Sequence, residues 1–493
     1  MNTEPNNNRR SVYVLLIVIA SATLAGRILS VERVYEPSVS RPANVVNGWL
    51  LEWPDELPPP TPTFSSNDRS RWATARALVD EGHYWIGTRD ERGEDHGFIF
   101  DEYDWKTIDR VLDPKTGKHF YSSKPPFLAT LMAGQYWVLQ KLFGWRISKD
   151  KWQVVLAGLF TFQWLPLLVY FILLARLAER YGETNWGRFM VVAVGCFATM
   201  PTLFAITFNN HTIAACSALF AIYATLGAVD ADAPARGRWL NFMLAGFFAA
   251  FTAACEMPAT ALLAALFVWL LIRSPSQTLL FFVPAAAIPL AAFFATNYLA
   301  VGEWLPVQSK METAWYQYEN SPWKWDESKL NRNIDSLREP KPLYAFHLLF
   351  GHHGLFSLTP LWLIAVAGMF MCIVHLLRRG PVQALVKNEL KNDYAVVGTM
   401  ALLVTTVVVA FYILKTNNYG GWTNGPRWLM WLTPLLLLAM LPALDRLALR
   451  RWTRALSYAL LALSILSVTY RNWNPWRHPW VYNFLESRGW RPY

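Results

Sequence analysis

Phe127-Leu128-Ala129-Thr130-Leu131-Met132-Ala133-Gly134-Gln135-Tyr136-Trp137-Val138-Leu139-Gln140-Lys141-Leu142-Phe143-Gly144-Trp145 decides the fold, because whether it crosses a membrane sets the direction of every helix after it. The remaining apolar runs are 12–29, 152–175, 189–208, 212–229, 239–255, 258–272, 277–298, 355–377, 394–414, 428–444 and 455–470, about eleven spans by length and lack of charge. If 127–145 does not cross, the loops holding Arg176, Arg180, Arg188, Arg236, Arg238, Arg273, Arg378, Arg379, Lys387, Lys391, Arg446, Arg450, Arg451 and Arg454 share a side with Arg9 and Arg10. If it crosses, all of them move to the other side. The positive-inside rule therefore makes 127–145 an interfacial helix of the outer leaflet, in keeping with Gln135, Tyr136, Trp137, Gln140 and Lys141 within it.

The chain of 493 residues is 54% hydrophobic and 16% charged, too apolar in runs too long for one water-soluble core. The predicted class is an all-α polytopic membrane protein. Its net charge of +10 is scattered over short loops without a groove-reading motif, so positive-inside topology accounts for it and nucleic acid is not an expected partner. The cysteines Cys196, Cys216, Cys255 and Cys372 all lie in apolar segments without metal or disulfide spacing and read as packing residues. No A-x-A cleavage site follows the first apolar run, so it reads as an uncleaved helix with a cytoplasmic N-terminus, Arg27 snorkelling to the outer interface.

The chain then divides into a first transmembrane helix (1–29), an outer-face loop with interfacial helices (30–151), transmembrane helices (152–298), a second outer-face loop (299–354), transmembrane helices with an outer Gly-rich turn at 415–427 (355–470), and an outer-face, periplasmic tail (471–493). The expected membrane is a bacterial inner membrane. Pro58-Pro59-Pro60-Thr61-Pro62-Thr63 reads as a stiff spacer. In the second loop Trp304, Trp315, Tyr316, Tyr318, Trp323 and Trp325 are suited either to stacking on sugar rings or to an aromatic belt.

The first loop carries Asp68-Arg69-Ser70-Arg71-Trp72-Ala73 and Tyr121-Ser122-Ser123-Lys124-Pro125-Pro126, placing a carboxylate and an ammonium at the membrane edge, where unused charge is costly. Transfer of a sugar from a lipid-linked phosphate needs a base for the acceptor hydroxyl and a cation for the leaving phosphate. Asp68 is the candidate base; Lys124 and Arg427 are the candidate phosphate ligands. Structural roles compete with these: a helix cap for Asp68, a headgroup anchor for Lys124 and a snorkelling end for Arg427.

Asp68-Arg69-Ser70-Arg71-Trp72-Ala73 with Ala77-Leu78-Val79-Asp80-Glu81-Gly82 resembles the D-E-x-R-Y-A…M-L-E-x-G pattern of GT-C glycosyltransferases, the superfamily of protein O-mannosyltransferases and the lipid A aminoarabinose transferase. Phe120 to Leu128 with Tyr136-Trp137 resembles its Y-x-K-P-P-L…Y-W element. Leu244 to Pro258 is loosely similar to its G-x-x-x-G…K-x-P helix pair, and Tyr419 to Trp428 to W-G-G-x-x-x-G-P-R-Y.

The resemblance implies a GT-C-like fold and an inverting, polyprenyl-phosphate-sugar-dependent transferase acting on the outer face, with membrane lipid and an acceptor of protein, lipid or polysaccharide as partners. The sequence departs from the pattern at Arg69, where a second acid is usual, and at Asn209-Asn210-His211-Thr212, where an Asp is usual.

Arg71, Asn210, His211, Glu256, Tyr419 and Trp422 are candidate acceptor or sugar ligands, with Asn210 also expected as a helix cap and Glu256 as a turn residue. His352 and His353, adjacent and pointing apart, read as neutral hydrogen-bonding residues, so no metal and no cofactor is expected. A lipid-linked sugar transporter or flippase, and a non-catalytic lipid-sugar-binding membrane subunit, are the competing function classes.

Overall fold

The computed structural model describes residues 7–31, 45–46, 49–50, 62–63, 65–97, 107–230, 235–309, 313–324, 339–386, 389–416 and 418–490; most of the Pro-rich spacer (58–61) and Trp325 lie outside the described residues. Among the described residues ten helices are long and apolar enough to cross a membrane, and Met257–Arg273 is a shorter apolar helix beside them. In chain order the helices of eight residues or more are α1 (Asn7–Ser30), α2 (Ser66–Asp80), α3 (Pro126–Phe143), α4 (Lys151–Tyr181), α5 (Asn185–Phe204), α6 (Asn210–Val229), α7 (Gly237–Cys255), α8 (Thr260–Arg273), α9 (Pro275–Val301), α10 (Lys341–Leu349), α11 (Trp362–Arg379), α12 (Leu390–Lys415), α13 (Arg427–Leu447), α14 (Arg451–Thr469) and α15 (Trp480–Ser487) among the described residues.

Helices that are apolar all round lie in the middle of the bundle: α6 and α13 have 83% and 89% of their apolar windows buried. Peripheral α1 buries only 33% of its window and turns Leu15 and Val18 outward, as a helix facing lipid does. At Gly246 of α7 a side chain would collide with the Phe282 carbonyl of α9, so glycine permits that close crossing.

The ends of the helices sort into two sets. At one end Arg9 pairs with Glu179 at 2.7 Å, Lys391 with Glu183 at 2.9 Å, Arg180 with Asp230 at 2.7 Å and Arg273 with Asp393, while Asp445 accepts from Thr184. At the other end Arg27 donates to the carbonyls of Thr202, Leu203 and Asn472. The guanidinium expected to snorkel thus serves orphan carbonyls in the last turn of α5 and past the end of α14, tying α1 to α5 and the tail.

Because α1 leaves and α4 returns at this second end, α2 and α3 make no net crossing. α3 begins after Pro125 with Pro126 in its first turn and packs along its neighbours, Tyr136 and Gln140 donating to Asp80 of α2 and Gln135 to Thr161 of α4.

The first loop also folds two small sheets. Strands β1 (Val45–Val46) and β2 (Trp49–Leu50) pair with each other, and β3 (Gly87–Arg89), β4 (Asp95–His96), β5 (Arg110–Leu112) and β6 (His119–Ser122) form an antiparallel sheet in the order β4-β3-β6-β5. The second loop is docked on this sheet: Trp315 and Tyr316 are buried against Val111, and Leu112 N–H donates to the Trp315 carbonyl. Those two aromatics are therefore packing residues, whereas Trp304 is 60% exposed.

Candidate active site

The polar residues at the second end are built up from local structure. Ser65 caps α2, and Asp68, three residues on, completes a capping box by accepting from Ser65 N–H at 2.9 Å and from Arg69 N–H at 3.0 Å. The capping expected of Asp68 is thus shared with Ser65, which occupies the cap position itself. Asp68 is 1% exposed.

One turn along α2 the buried guanidinium of Arg71 donates to Asn67 O at 3.1 Å and to Asn210 Oδ1 at 2.6 Å, while its Nε is buried without a hydrogen-bond partner among the described residues. Loss of hydration pulls the Arg71 pKa down to about 10, with Asp109 countering, Arg427 adding and Asp68 and Glu256 countering.

α6 is capped by Asn209, whose side chain accepts from Thr212 N–H at 2.8 Å. This corrects the expectation for Asn210: the cap is one residue earlier, which turns Asn210 toward Arg71 and Glu256. A π-turn in α4 (Phe160–Trp164) brings Gln163 inward to donate to Asn209 O at 3.1 Å, fixing the entry of α6.

Asn210 then donates to Glu256 Oε1 at 2.6 Å and to Cys255 O at 3.0 Å. Glu256, buried past the end of α7, also meets His211 Nδ1. On the far side of that ring Nε2 lies 3.3 Å from Arg427 Nη1. A proton on Nδ1, donated to Glu256, leaves Nε2 to accept from Arg427. Arg427 Nε in turn donates to Gly420 O at 2.7 Å, and its guanidinium lies 4.8 Å over the Trp476 ring.

Lys124 comes from the sheet. The register pairs Arg110 with Ser122, so at the open end of the β5–β6 hairpin Asp109 faces Ser123 and Lys124, and Ser123 N–H donates to Asp109 O. Lys124 Nζ and Asp109 Oδ1 are 2.5 Å apart. The Asp109 carbonyl also accepts from Ser70 Oγ at 2.7 Å, joining the hairpin to α2 beside Arg71. Burial holds the Lys124 ammonium below the usual lysine range; Asp109 opposes that shift and Arg427 and Arg71 add to it.

The structure thus brings Asp68, Arg71, Lys124, Asn210, His211, Glu256 and Arg427 into one partly buried polar cluster and adds Asp109, which the sequence reading omitted. A small cavity lined by Thr74, Tyr84, Lys124, Asn297 and Val301 opens beside it.

Comparison of the sequence with protein-family models and with curated proteins gives no match. Among solved structures, the fold is distantly similar to the oligosaccharyltransferase of Archaeoglobus fulgidus. The apo form aligns at 13% identity over 94% of this chain and 55% of that one, with a TM-score of 0.41. The complex with Zn and sulfate gives 14%, 94%, 53% and 0.43, and the complex of this enzyme, AglB, with an inhibitory peptide and a dolichol-phosphate gives 13%, 94%, 55% and 0.39. The chain spans about half the length of the structures it resembles.

Tyr419 and Trp422 sit apart from this cluster, in the Gly-rich turn before α13. Tyr419 is buried, donates to Glu339 and stacks on His353 with ring centres 5.3 Å apart; Trp422 is 48% exposed and lies against His478. His352 differs in its surroundings from the sequence reading, which weighed it with His353 alone. Glu339, before α10, and His347, within it, bring their ligand atoms and that of His352 within 4.8 Å of one another, so these residues have the spacing to hold a metal ion.

Proposed function

We propose that this chain is a membrane glycosyltransferase that takes a sugar from a polyprenyl-phosphate carrier and transfers it, with inversion, to an acceptor hydroxyl. The observation that carries the reading is the convergence of Arg71, Lys124 and Arg427, drawn from distant parts of the sequence, close enough to disfavour one another's charge. Asp109 offsets part of this positive charge at Lys124, and the buried Nε of Arg71, without a hydrogen-bond partner among the described residues, supports an anion there.

In the proposed reaction the acceptor oxygen attacks the anomeric carbon as its proton passes to the Asp68 carboxylate. The bond from that carbon to the phosphate oxygen breaks with its electron pair going to the phosphate. Arg71, Lys124 and Arg427 stabilise the charge that develops on the leaving group, strongly because water is scarce around them. Asn210, His211 and Glu256 hold Arg71 and Arg427 in place, and Asp109 keeps Lys124 charged.

Positive-inside topology supports placing this end on the outer, periplasmic face, with the Arg9 end in the cytoplasm and a bacterial inner membrane as the setting. No metal or cofactor enters this proposed reaction, the lipid-linked sugar being a substrate.

The test is transfer by the full chain reconstituted in liposomes with polyprenyl-phosphate sugars and a panel of hydroxyl acceptors. Sugar transfer that falls about a hundredfold in Lys124→Ala would support the assignment. Carrier movement across the bilayer with no transferred sugar would favour transport instead.

A further inference from the structure

Beside the turn that carries Arg427, a second polar cluster has no part in the proposed transfer. Glu339, His347 and His352 are half-buried, buried and buried, with ligand atoms within 4.8 Å of one another. The rings of His347 and His352 stack with centres 4.2 Å apart. His347 Nδ1 is buried without a hydrogen-bond partner among the described residues, which is costly for a polar atom unless a ligand meets it. The His352 ring is turned by its neighbour, Nδ1 lying 2.5 Å from His353 Nδ1, so Nε2 is the atom on the other side of the ring.

From this geometry we infer a divalent transition-metal site of the zinc class, with Glu339, His347 and His352 as protein ligands and a further position for water or another donor. Imidazole nitrogens with one carboxylate form a donor set that suits zinc and disfavours calcium or magnesium, which take oxygen ligands.

The role of the ion is structural. Glu339 accepts from the Tyr419 hydroxyl, and the next residue, Gly420, supplies the carbonyl that receives Arg427 Nε. A metal on Glu339 and the two histidines therefore ties the second outer loop to the Gly420-Gly421 turn. The site stands whether or not the chain transfers sugar.

The test is metal content and affinity of the full chain purified in detergent, measured by mass spectrometry after dialysis against zinc and by calorimetric zinc titration. The expected result is one zinc per chain, with affinity reduced about tenfold or more in His347→Gln and Glu339→Gln. Glu303→Gln, which removes a carboxylate bonded to Trp315, should bind as the unaltered chain does. Zinc absent from the unaltered chain, or bound with unchanged affinity and stoichiometry in both ligand variants, overturns the proposal. Should the ligand variants not fold, cobalt loading of the unaltered chain decides: intense visible bands of a tetrahedral, nitrogen-ligated ion support it, and a weak octahedral spectrum overturns it.

Discussion

Lys124 Nζ sits 2.5 Å from Asp109 Oδ1 across the open end of the β5–β6 hairpin, so the charge of the first loop's lysine depends on a carboxylate with no motif of its own. Asp109 favours the ammonium, whereas burial, Arg427 and Arg71 disfavour it. Removing Asp109 lowers the Lys124 pKa further, so the proton is lost at lower pH. In Asp109→Asn the alkaline limit of polyprenyl-phosphate binding is expected to move toward neutrality, read from binding isotherms across neutral and alkaline pH. An unmoved limit would show that Asp109 does not govern Lys124.

Capping and chemistry at Asp68 separate by mutation. Ser65→Ala removes the side-chain half of the capping box and is expected to cost about 0.5–2 kcal/mol of stability while leaving the carboxylate present and transfer within severalfold of normal. Asp68→Asn is expected to reduce transfer about a hundredfold or more. Thermal unfolding and transfer rates of the purified variants check both; an active Asp68→Asn protein contradicts the assignment of the base.

Glu256 accepts from Asn210 and, in the tautomer inferred here, from His211, so its replacements should rank by what they leave unpaired. Glu256→Gln keeps an oxygen for both donors and is expected to unfold near the normal temperature with transfer down about tenfold. Glu256→Ala leaves the donors buried and unpaired, costing about 1–3 kcal/mol for each. Equal melting temperatures for the two variants would contradict the hydrogen-bond arrangement.

Gly420 has φ of +94°, and a Cβ there would stand 3.1 Å from Arg427 Nε. Gly420→Ala is expected to displace Arg427 and weaken polyprenyl-phosphate binding about tenfold, with fold retained by circular dichroism. Unchanged binding would remove Arg427 from the phosphate site.

Membrane spans were legible because length and apolarity are local properties, whereas the reading of Phe127–Trp145 as an interfacial helix of the outer leaflet drew on charges spread over many loops. Asp68, Lys124 and Arg427 stood out as charges at the edges of apolar runs, and Arg71 through the motif that contains it. Asp109 did not, since its role comes from strand register, although Asp113-Pro114-Lys115-Thr116-Gly117 is a turn signal from which the β5–β6 hairpin was available. Asn209 and Asn210 were misordered because either can cap, and the choice of Asn209 comes from Gln163 and from the Phe204 and Thr207 carbonyls that hold its side chain. The Glu339–His347–His352 cluster was missed because a turn and a helix bring together residues with no standard metal spacing.

Cryo-electron microscopy of the full chain in nanodiscs with added polyprenyl phosphate tests the central claim most directly. The account predicts phosphate density within hydrogen-bonding reach of Lys124, Arg71 and Arg427, with Asp68 facing the same space. Lipid phosphate bound elsewhere, with these cations still engaged only by the carboxylates and amides of the protein, would contradict it.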